Sequence, residues 1–409
     1  MKKVLFLFAV LLCAAVLSAE APDAGFSYSG YARGGIAGNA RGEALGTANP
    51  FTANGAYSQA RFANESNYSE HLFRFTGLGD AMWWQINTRI ALDIPGFPKG
   101  WNNISDLEYG IILPEAYIRM GWNEKPVSVW VGNRYHDSIG INMYDYYIND
   151  MSGAYGGGVD GIALGSSTLD TGYFMAYGGS DNAAAVSPAI EREGTIHSLM
   201  VRPHFSLGDN RLSFKVVPSF ATGSDDARYG GIFEADFEMS SFFGLAEGST
   251  QFFGYYDLGT GVNNSEYCYY ETDAYRTGGG FQGGAEFSDK ISMRTTVMIE
   301  SRGNQDSASD GIWTAFAIRP YYGFTNMFGI TFEYDLDYFI YDDTSNDESM
   351  LNRFTLAPTL TIDSNGTVFS DPVIHAFVTY AIGDMDASVL LEDQDDQGFK
   401  YGLSFSVGW

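Results

Sequence analysis

The sequence predicts an all-β protein, specifically a transmembrane antiparallel β-barrel, on three observations. Aromatic residues suited to strands are abundant, with 27 Tyr and 30 Phe in 409 residues. Apolar residues alternate with small or polar ones, the period of two that half-buried strands show. Beyond the first residues of the chain, every apolar run is interrupted before it reaches the roughly 20 residues of a membrane helix. A closed barrel is the other structure that satisfies every backbone polar group in lipid.

The alternation is clearest in three segments, 330–338, 354–362 and 399–409. In the last segment, the odd positions from Phe399 to Trp409 are aromatic or aliphatic, and the even positions are Lys, Gly or Ser. Each segment has about the 9 to 11 residues that a tilted membrane strand needs. A soluble β-sandwich would show the same period, with strands of about 5 to 6 residues and its apolar side chains inside. The pattern therefore favours a membrane barrel but leaves the direction of the apolar face open.

The first residues have the features of a secretory signal peptide. A basic start, Met1-Lys2-Lys3, precedes an apolar run over 4–17 that ends in small residues. Cleavage after Ala19 is favoured over cleavage after Ala21, which would leave Pro22 directly behind the cut. Because no linker, charge block or low-complexity stretch follows, residues 20–409 are expected to form a single barrel domain.

The charge and the reactive residues exclude several classes of function. A formal net charge of −27 argues against a nucleic-acid partner. In a pore this acidity would favour cations, whereas a solvated acidic surface explains it equally well. Cys268 is the only cysteine beyond the leader, so no disulfide is expected. The five His have no metal-binding spacing and no nucleophile motif accompanies them, so neither a metal, a cofactor nor an enzyme is expected.

Seven segments resemble, in the same order along the chain, those of the maltoporin family of sugar-specific outer-membrane porins. The most specific is Trp-Val-Gly-Asn-Arg-Tyr at 130–135 followed by the segment 142–153, which resembles a strand and the inward-folded third loop of that family. Segment 30–36, Gly-Tyr-Ala-Arg-Gly-Gly-Ile, resembles the opening strand, and segment 61–70 resembles the second strand. The late strands correspond to segments 313–322, 354–357 and 371–381.

The resemblance implies a fold, an assembly and a function. It implies an 18-stranded barrel with the third loop folded inward, a homotrimer in the outer membrane, and both termini on the periplasmic side. It also implies guided diffusion of malto-oligosaccharides. A sugar has apolar C–H faces and a rim of hydroxyls, so a sugar channel needs aromatic rings for stacking and charged side chains for hydrogen bonding.

The family's functional positions fall on two sets of residues in this chain. The aromatic rail would be Tyr31, Tyr68, Phe369, Trp101 and Trp409. The family's last rail residue is penultimate, a position that is Gly408 here. The polar track would be Arg33, Arg61, Glu70, Asp145 and Tyr147. The alternative for the two tyrosines is an ordinary aromatic girdle, and for the charges it is a set of solvated ion pairs in the lumen.

Some of the family's charged positions are replaced in this chain. An Arg of the second loop is replaced by Pro114, and an Arg and an Asp of the constriction by Ser138 and Gly140. These departures leave the particular sugar open. The alternatives are a general, cation-preferring diffusion porin on the same barrel, a non-conducting surface adhesin or structural barrel, and a soluble β-rich binding protein.

Overall fold

The computed structural model describes most of the chain after the leader. The described residues are 22–40, 44–45, 51, 53, 55–58, 60–62, 67–94, 110–136, 138–144, 146–149, 151, 154–177, 195–222, 228–261, 263–264, 267–268, 273–304, 310–342, 348–362, 367–369, 371–385 and 396–409. The expected leader, 1–19, lies outside them. Among the described residues, no helix is long and apolar enough to cross a membrane.

All the regular elements of the described residues are strands. They are β1 (Gly25–Asn39), β2 (Ala44–Leu45), β3 (Asn67–Leu78), β4 (Met82–Ile94), β5 (Gly110–Trp122), β6 (Ser128–Asn133), β7 (Ile139–Ile141), β8 (Tyr146–Ile148), β9 (Tyr155–Leu164), β10 (Ser167–Tyr177), β11 (Thr195–Leu207), β12 (Asn210–Thr222), β13 (Tyr229–Met239), β14 (Glu247–Gly259), β15 (Asn263–Asn264), β16 (Tyr267–Cys268), β17 (Tyr275–Ser288), β18 (Ile291–Gly303), β19 (Gly311–Gly323), β20 (Phe328–Tyr341), β21 (Glu348–Thr361), β22 (Val373–Gly383) and β23 (Gln397–Gly408).

Eighteen of these strands form a closed antiparallel barrel. The main sheet contains 19 strands, one of which is the two-residue β2 paired with β1, so 18 remain for the wall. The barrel closes where β1 pairs with β3 on one side and with β23 on the other, which places Tyr31 opposite both Glu70 and Gly408. Closure removes the sheet edges, as a membrane-spanning sheet requires. The predicted fold class and the strand number implied by the resemblance are confirmed.

The barrel wall has polar side chains on its inner face and apolar side chains on its outer face, the reverse of a soluble protein. Glu333, Asp337 and Arg353 face the lumen with exposed fractions of 0%, 0% and 1%. Their apolar neighbours point outward, where Phe332 is 39% and Leu356 49% exposed. Exposed apolar rows of this kind are unfavourable in water and favourable in a lipid bilayer. The direction of the apolar face therefore selects a membrane barrel over a soluble sandwich.

Three details differ from the sequence-based expectation. Most wall strands have 11 to 15 residues, longer than expected, because they extend beyond the apolar band. Pro114 lies within β5 rather than in a loop, beside a register shift between Arg89 and Ala91 of the paired strand. Such a bulge tolerates a residue that cannot donate a ladder hydrogen bond. Arg61 precedes the second wall strand, which begins only at Asn67.

The connection between β6 and β9 folds into the lumen as a short hairpin, β7–β8. Its register pairs Ile139 with Ile148 and Ile141 with Tyr146. Its apolar side chains pack against lumen-facing residues of β14, β18, β19 and β20 on the far wall. The fully or nearly fully buried members of this cluster are Ile139, Ile141, Met143, Tyr144, Tyr146, Ile148, Phe253, Tyr255, Met298, Trp313, Ala315, Ala317 and Phe339. The predicted inward loop is present, and it crosses the lumen.

A second inward segment, within 51–62, was not predicted. Phe51 is fully buried against β21 and β22, and its carbonyl accepts a hydrogen bond from the buried Arg353. The backbone N–H of Arg61 donates to the carbonyl of Met143 at 2.9 Å, which joins this segment to the hairpin. The two segments together narrow the barrel from the same end.

The connections at the two ends of the barrel differ in length. The end that carries Gly25 and Trp409 has two-residue turns at 165–166 and 208–209, where Gly165 and Gly208 adopt φ of 67° and 66°. We call this end of the barrel the terminal end. We call the opposite end the loop end, because the longer connections, such as 95–109 and 178–194, lie there. A longer terminal-end connection, 362–372, carries Phe369.

Candidate functional site

Tyr68 and Glu70 form the centre of a polar track on the lumen side of the wall. The Tyr68 hydroxyl donates a hydrogen bond to Glu70, two residues further along β3. The guanidinium of Arg33 lies over the Tyr68 ring, 5.3 Å from its centroid. Arg33 and Tyr68 are direct cross-strand partners, so the strand register itself brings these predicted residues together.

Arg89 joins this centre to the next strands. It donates to Glu70 and to Glu115, each at 2.6 Å, and its side chain is 21% exposed. Tyr135 closes the arrangement, since its hydroxyl donates to Glu70 at 2.8 Å and its backbone N–H to Glu115 at 2.9 Å. Burial raises the pKa of the Tyr135 phenol, so this group keeps its proton and acts as a donor at neutral pH.

Tyr31 and Arg61 continue the track on the other side. Arg61 donates to the Tyr31 hydroxyl at 2.8 Å. The next residue, Phe62, lies beneath the guanidinium of Arg319, 4.5 Å from the ring centroid. Aromatic rings and guanidinium groups therefore alternate from the polar track toward the opposite wall.

Tyr147 is a hairpin residue that faces the open lumen. It is 43% exposed, whereas its neighbours Tyr146 and Ile148 are buried against the wall. Tyr147 is also close enough to Tyr68 for the two phenols to interact electrostatically. The predicted Tyr147 and Tyr68 thus lie on opposing sides of the passage.

Buried ion pairs hold the hairpin in place. Glu300 accepts hydrogen bonds from the hydroxyls of Tyr146 and Tyr255 and pairs with Arg302 at 2.5 Å. Arg302 also donates to the Tyr146 hydroxyl at 2.9 Å. These three donors compensate the buried charge of Glu300. Moving the hairpin away would remove the Tyr146 hydrogen bond from that charge, which costs free energy.

Phe369 lies inside the terminal-end mouth of the barrel. The guanidinium of Arg294 is 4.7 Å from the centroid of its ring, and the adjacent Val368 N–H donates to Ser292 at 2.8 Å. Gly284 leaves the space that the ring occupies, because a Cβ there would lie 2.3 Å from the ring. The structure places Phe369 in the lumen, as the rail assignment requires.

Trp409 is a correction to the predicted rail. Its indole lies on the outer face of the barrel, against Gly30, with Tyr28 at 6.0 Å and His71 at 5.6 Å between ring centroids. Because strand residues alternate between faces and Lys400 faces the lumen, the odd position 409 points to lipid. Trp409 belongs to an interfacial aromatic girdle. The predicted Trp101 and Asp145 lie outside the described residues.

Several lumen residues were missed in the sequence. The alternation of polar residues in Gln85-Asn87-Arg89 and Ser292-Arg294-Thr296 places each arginine on the same face of its strand as its polar neighbours, but it does not indicate whether that face meets the lumen or which partners it meets. Tyr135, Phe62 and Arg319 lay inside recognised segments without an assigned role. Their partners are 14 or more residues away in the sequence, so only the barrel register and the inward segments bring them together.

The polar track has a defined chemistry. Arg89 is compensated by Glu70 and Glu115, whereas Arg33 contacts the Tyr68 ring and Arg61 the Tyr31 hydroxyl, so the track combines charged donors, carboxylate acceptors and aromatic rings. A guanidinium has five N–H donors, so groups remain for a passing hydroxyl.

The fold and this lumen define a class of protein: an outer-membrane β-barrel channel with a constricted, polar pore. The sequence matches the LamB porin family model over residues 26–409, and the chain belongs to that family. Family and fold point to a channel rather than an enzyme.

Solved structures of similar fold include a protein described as a porin. OccAB1 of Acinetobacter baumannii has a TM-score of 0.53 and 10% identity, covering 97% of this chain and 99% of that chain. OccK8 (OprE) of Pseudomonas aeruginosa has a TM-score of 0.51 and 10% identity, covering 94% and 98%. A BenF-like porin of Pseudomonas fluorescens Pf-5 has a TM-score of 0.50 and 9% identity, covering 94% and 98%. At such identities the likeness is one of fold.

Proposed function

We propose that this protein passes carbohydrates by facilitated diffusion along the track rather than by size filtering alone, with malto-oligosaccharides as the first candidates. The observation that carries the proposal is the combination of lumen-facing aromatic rings with a charge-compensated cluster of Arg89, Glu70 and Glu115. Tyr31, Tyr68 and Phe369 supply ring faces, and Arg89 with Glu70 supplies donors and acceptors.

The physical argument rests on what a sugar exchanges on entering the pore. Its hydroxyls lose water and need replacement hydrogen bonds, which charged groups supply at roughly twice the strength of neutral ones. Its C–H faces gain contact with aromatic rings. Because each interaction is modest and repeated, a sugar can bind and still leave.

The family's missing constriction charges affect the selectivity that we expect. Ser138 and Gly140 are small, and a Cβ at Gly140 would already lie 3.3 Å from the Tyr147 ring. A charged side chain at Gly140 would compete with Tyr147 for space. We therefore propose a pore that relies on the wall arginines and tyrosines rather than on charges of the hairpin.

We further propose that residues 1–19 are removed on export, that residues 20–409 form one barrel domain, that the terminal end faces the periplasm, and that the protein is a homotrimer. Short turns at the terminal end and long connections at the other support the orientation. The mass of the purified protein and its mobility in unheated detergent gels test cleavage and assembly.

The experiment that tests the function is single-channel conductance in a planar bilayer with added sugar. Maltose and longer malto-oligosaccharides would be titrated, with sucrose as a contrast. Saturable block that tightens with chain length is the expected result. An open channel without block would mean a general diffusion porin, and the absence of conductance would favour an adhesin or structural barrel.

A further inference from the structure

Two arginines face each other across neighbouring strands near the terminal-end mouth. Arg294 on β18 and Arg319 on β19 are direct cross-strand partners, and both point into the lumen. Like charges directly opposite each other destabilise a strand pair. Arg61 brings a third positive charge close enough to repel Arg294.

These three arginines differ in how they are compensated. Arg319 pairs with Glu333, and Arg61 donates to Tyr31. No carboxylate in the described part of the chain pairs with Arg294, whose guanidinium instead contacts the Phe369 ring at 4.7 Å. Arg276 on the neighbouring strand β17, in contrast, has an acidic partner, Asp257, at 2.6 Å. Within the described residues, the charge of Arg294 is therefore uncompensated.

Arg294 and Phe369 line a cavity of about 530 Å³ between the hairpin and the terminal-end mouth. This volume lies within the range of roughly 300 to 1,000 Å³ that small-molecule sites occupy. The cavity also presents neutral polar groups from Asn142, Gln251 and Thr296, and its lining includes the Arg211–Glu238 ion pair and the carboxylate of Asp209. It therefore offers a guanidinium, a ring face and hydrogen-bonding side chains to one ligand.

We propose that this cavity is a subsite for carbohydrates that carry an anionic group. The guanidinium of Arg294 binds the anionic group, and a carboxylate matches its planar fork. The bound anion also screens the repulsion among the three arginines. The ring of Phe369 contacts a sugar face at the same time. The inference rests on the proposed function and deepens it by naming a substrate class.

The test compares two α-1,4-linked trisaccharides, trigalacturonate and maltotriose, as blockers of single channels. We expect trigalacturonate to bind about tenfold more tightly, the scale of a hydrogen bond to a charged group. Arg294→Gln should remove most of that preference, because it takes away the charge that binds a carboxylate but keeps an amide for hydroxyls, so trigalacturonate block should weaken more than maltotriose block. Folding should survive, because the substitution removes a like-charge contact.

A charge-neutral control is available at the rim of the same cavity. Arg211 and Glu238 form an exposed pair at 2.7 Å. The double variant Arg211→Gln/Glu238→Gln should keep the preference for trigalacturonate. Equal block by both sugars in the unaltered channel, or a preference that persists in Arg294→Gln, would overturn the subsite and leave the sugar channel standing. Block by neither sugar would overturn the proposed function and the subsite with it.

Discussion

Arg276, on wall strand β17, donates a hydrogen bond to the side-chain oxygen of Asn149, 2.6 Å away at the end of the inward hairpin. The side-chain amide N–H of Asn149 donates in turn to Glu234 at 2.9 Å, and the backbone carbonyl of Asn149 accepts from Lys215 at 3.0 Å. Asn149 has φ of 54°, a conformation that asparagine tolerates better than most residues. One residue thus ties the constriction to three wall strands.

Replacing Asn149 should loosen the hairpin. Asn149→Ala removes two charge-assisted hydrogen bonds and adds backbone strain, a loss of about 3 kcal/mol. This raises the population of the released hairpin by about two orders of magnitude. We expect larger and noisier single-channel conductance. Asn149→Gly, which loses the bonds without the strain, should have a smaller effect, and an unchanged conductance in both variants would show that Asn149 does not hold the hairpin.

Glu300 provides a prediction of stability. Glu300→Gln removes the charge that compensates the buried Arg302, and a broken buried pair costs about 3 to 5 kcal/mol. The temperature at which the protein loses its folded mobility in detergent gels should fall. Arg302→Met/Glu300→Leu removes both charges together and should recover much of that loss, because apolar replacement of a buried pair is often near neutral. Equal losses in the single and double variants would contradict this account.

The strands were predictable because each was specified by its own residues. Alternation over 330–338 and 399–409 located parts of β20 and β23, and it assigned Lys400 to the face opposite its aromatic neighbours. The period of two did not decide which face of the strands meets lipid, because a soluble sandwich and a membrane barrel show the same alternation. The exposed Phe332 and the buried Glu333 decide it only once the barrel has closed.

The site was predictable where the register alone creates it and unpredictable where segments fold inward. Arg33 and Tyr68 are cross-strand partners, so placing their strands side by side was enough. Tyr135 reaches Glu70 only because the chain turns into the lumen after β6. The side chains at even positions of β23 point into the lumen, so the family's penultimate rail position falls on Gly408. Trp409, at an odd position, points to lipid, and its assignment to the rail was therefore wrong.

Arg89 sets the charge balance of the polar track. Arg89→Gln leaves Glu70 and Glu115 without their shared counter-ion, so the reversal potential in a salt gradient should shift toward cations. Arg89→Lys keeps the charge and should keep the ion selectivity, but it should weaken sugar block because an ammonium cannot reproduce the fork of donors. If Arg89→Gln leaves the reversal potential where it was, the ion path does not pass this cluster.

Tyr68 provides the sharpest test of the aromatic rail. Tyr68→Ala removes a ring face worth about 0.5 to 1.5 kcal/mol to a stacked partner, so block by malto-oligosaccharides should weaken roughly two- to tenfold. Tyr68→Phe keeps the ring and loses only the hydrogen bond to Glu70, so its block should lie between those of the unaltered channel and Tyr68→Ala. Trp409→Ala is the matched control, because that indole lies on the lipid face and should leave block unchanged. Folded mobility in gels verifies each variant. If Tyr68→Ala is blocked as the unaltered channel is, Tyr68 is not part of the rail, whereas weaker block in Trp409→Ala would return that residue to the pore.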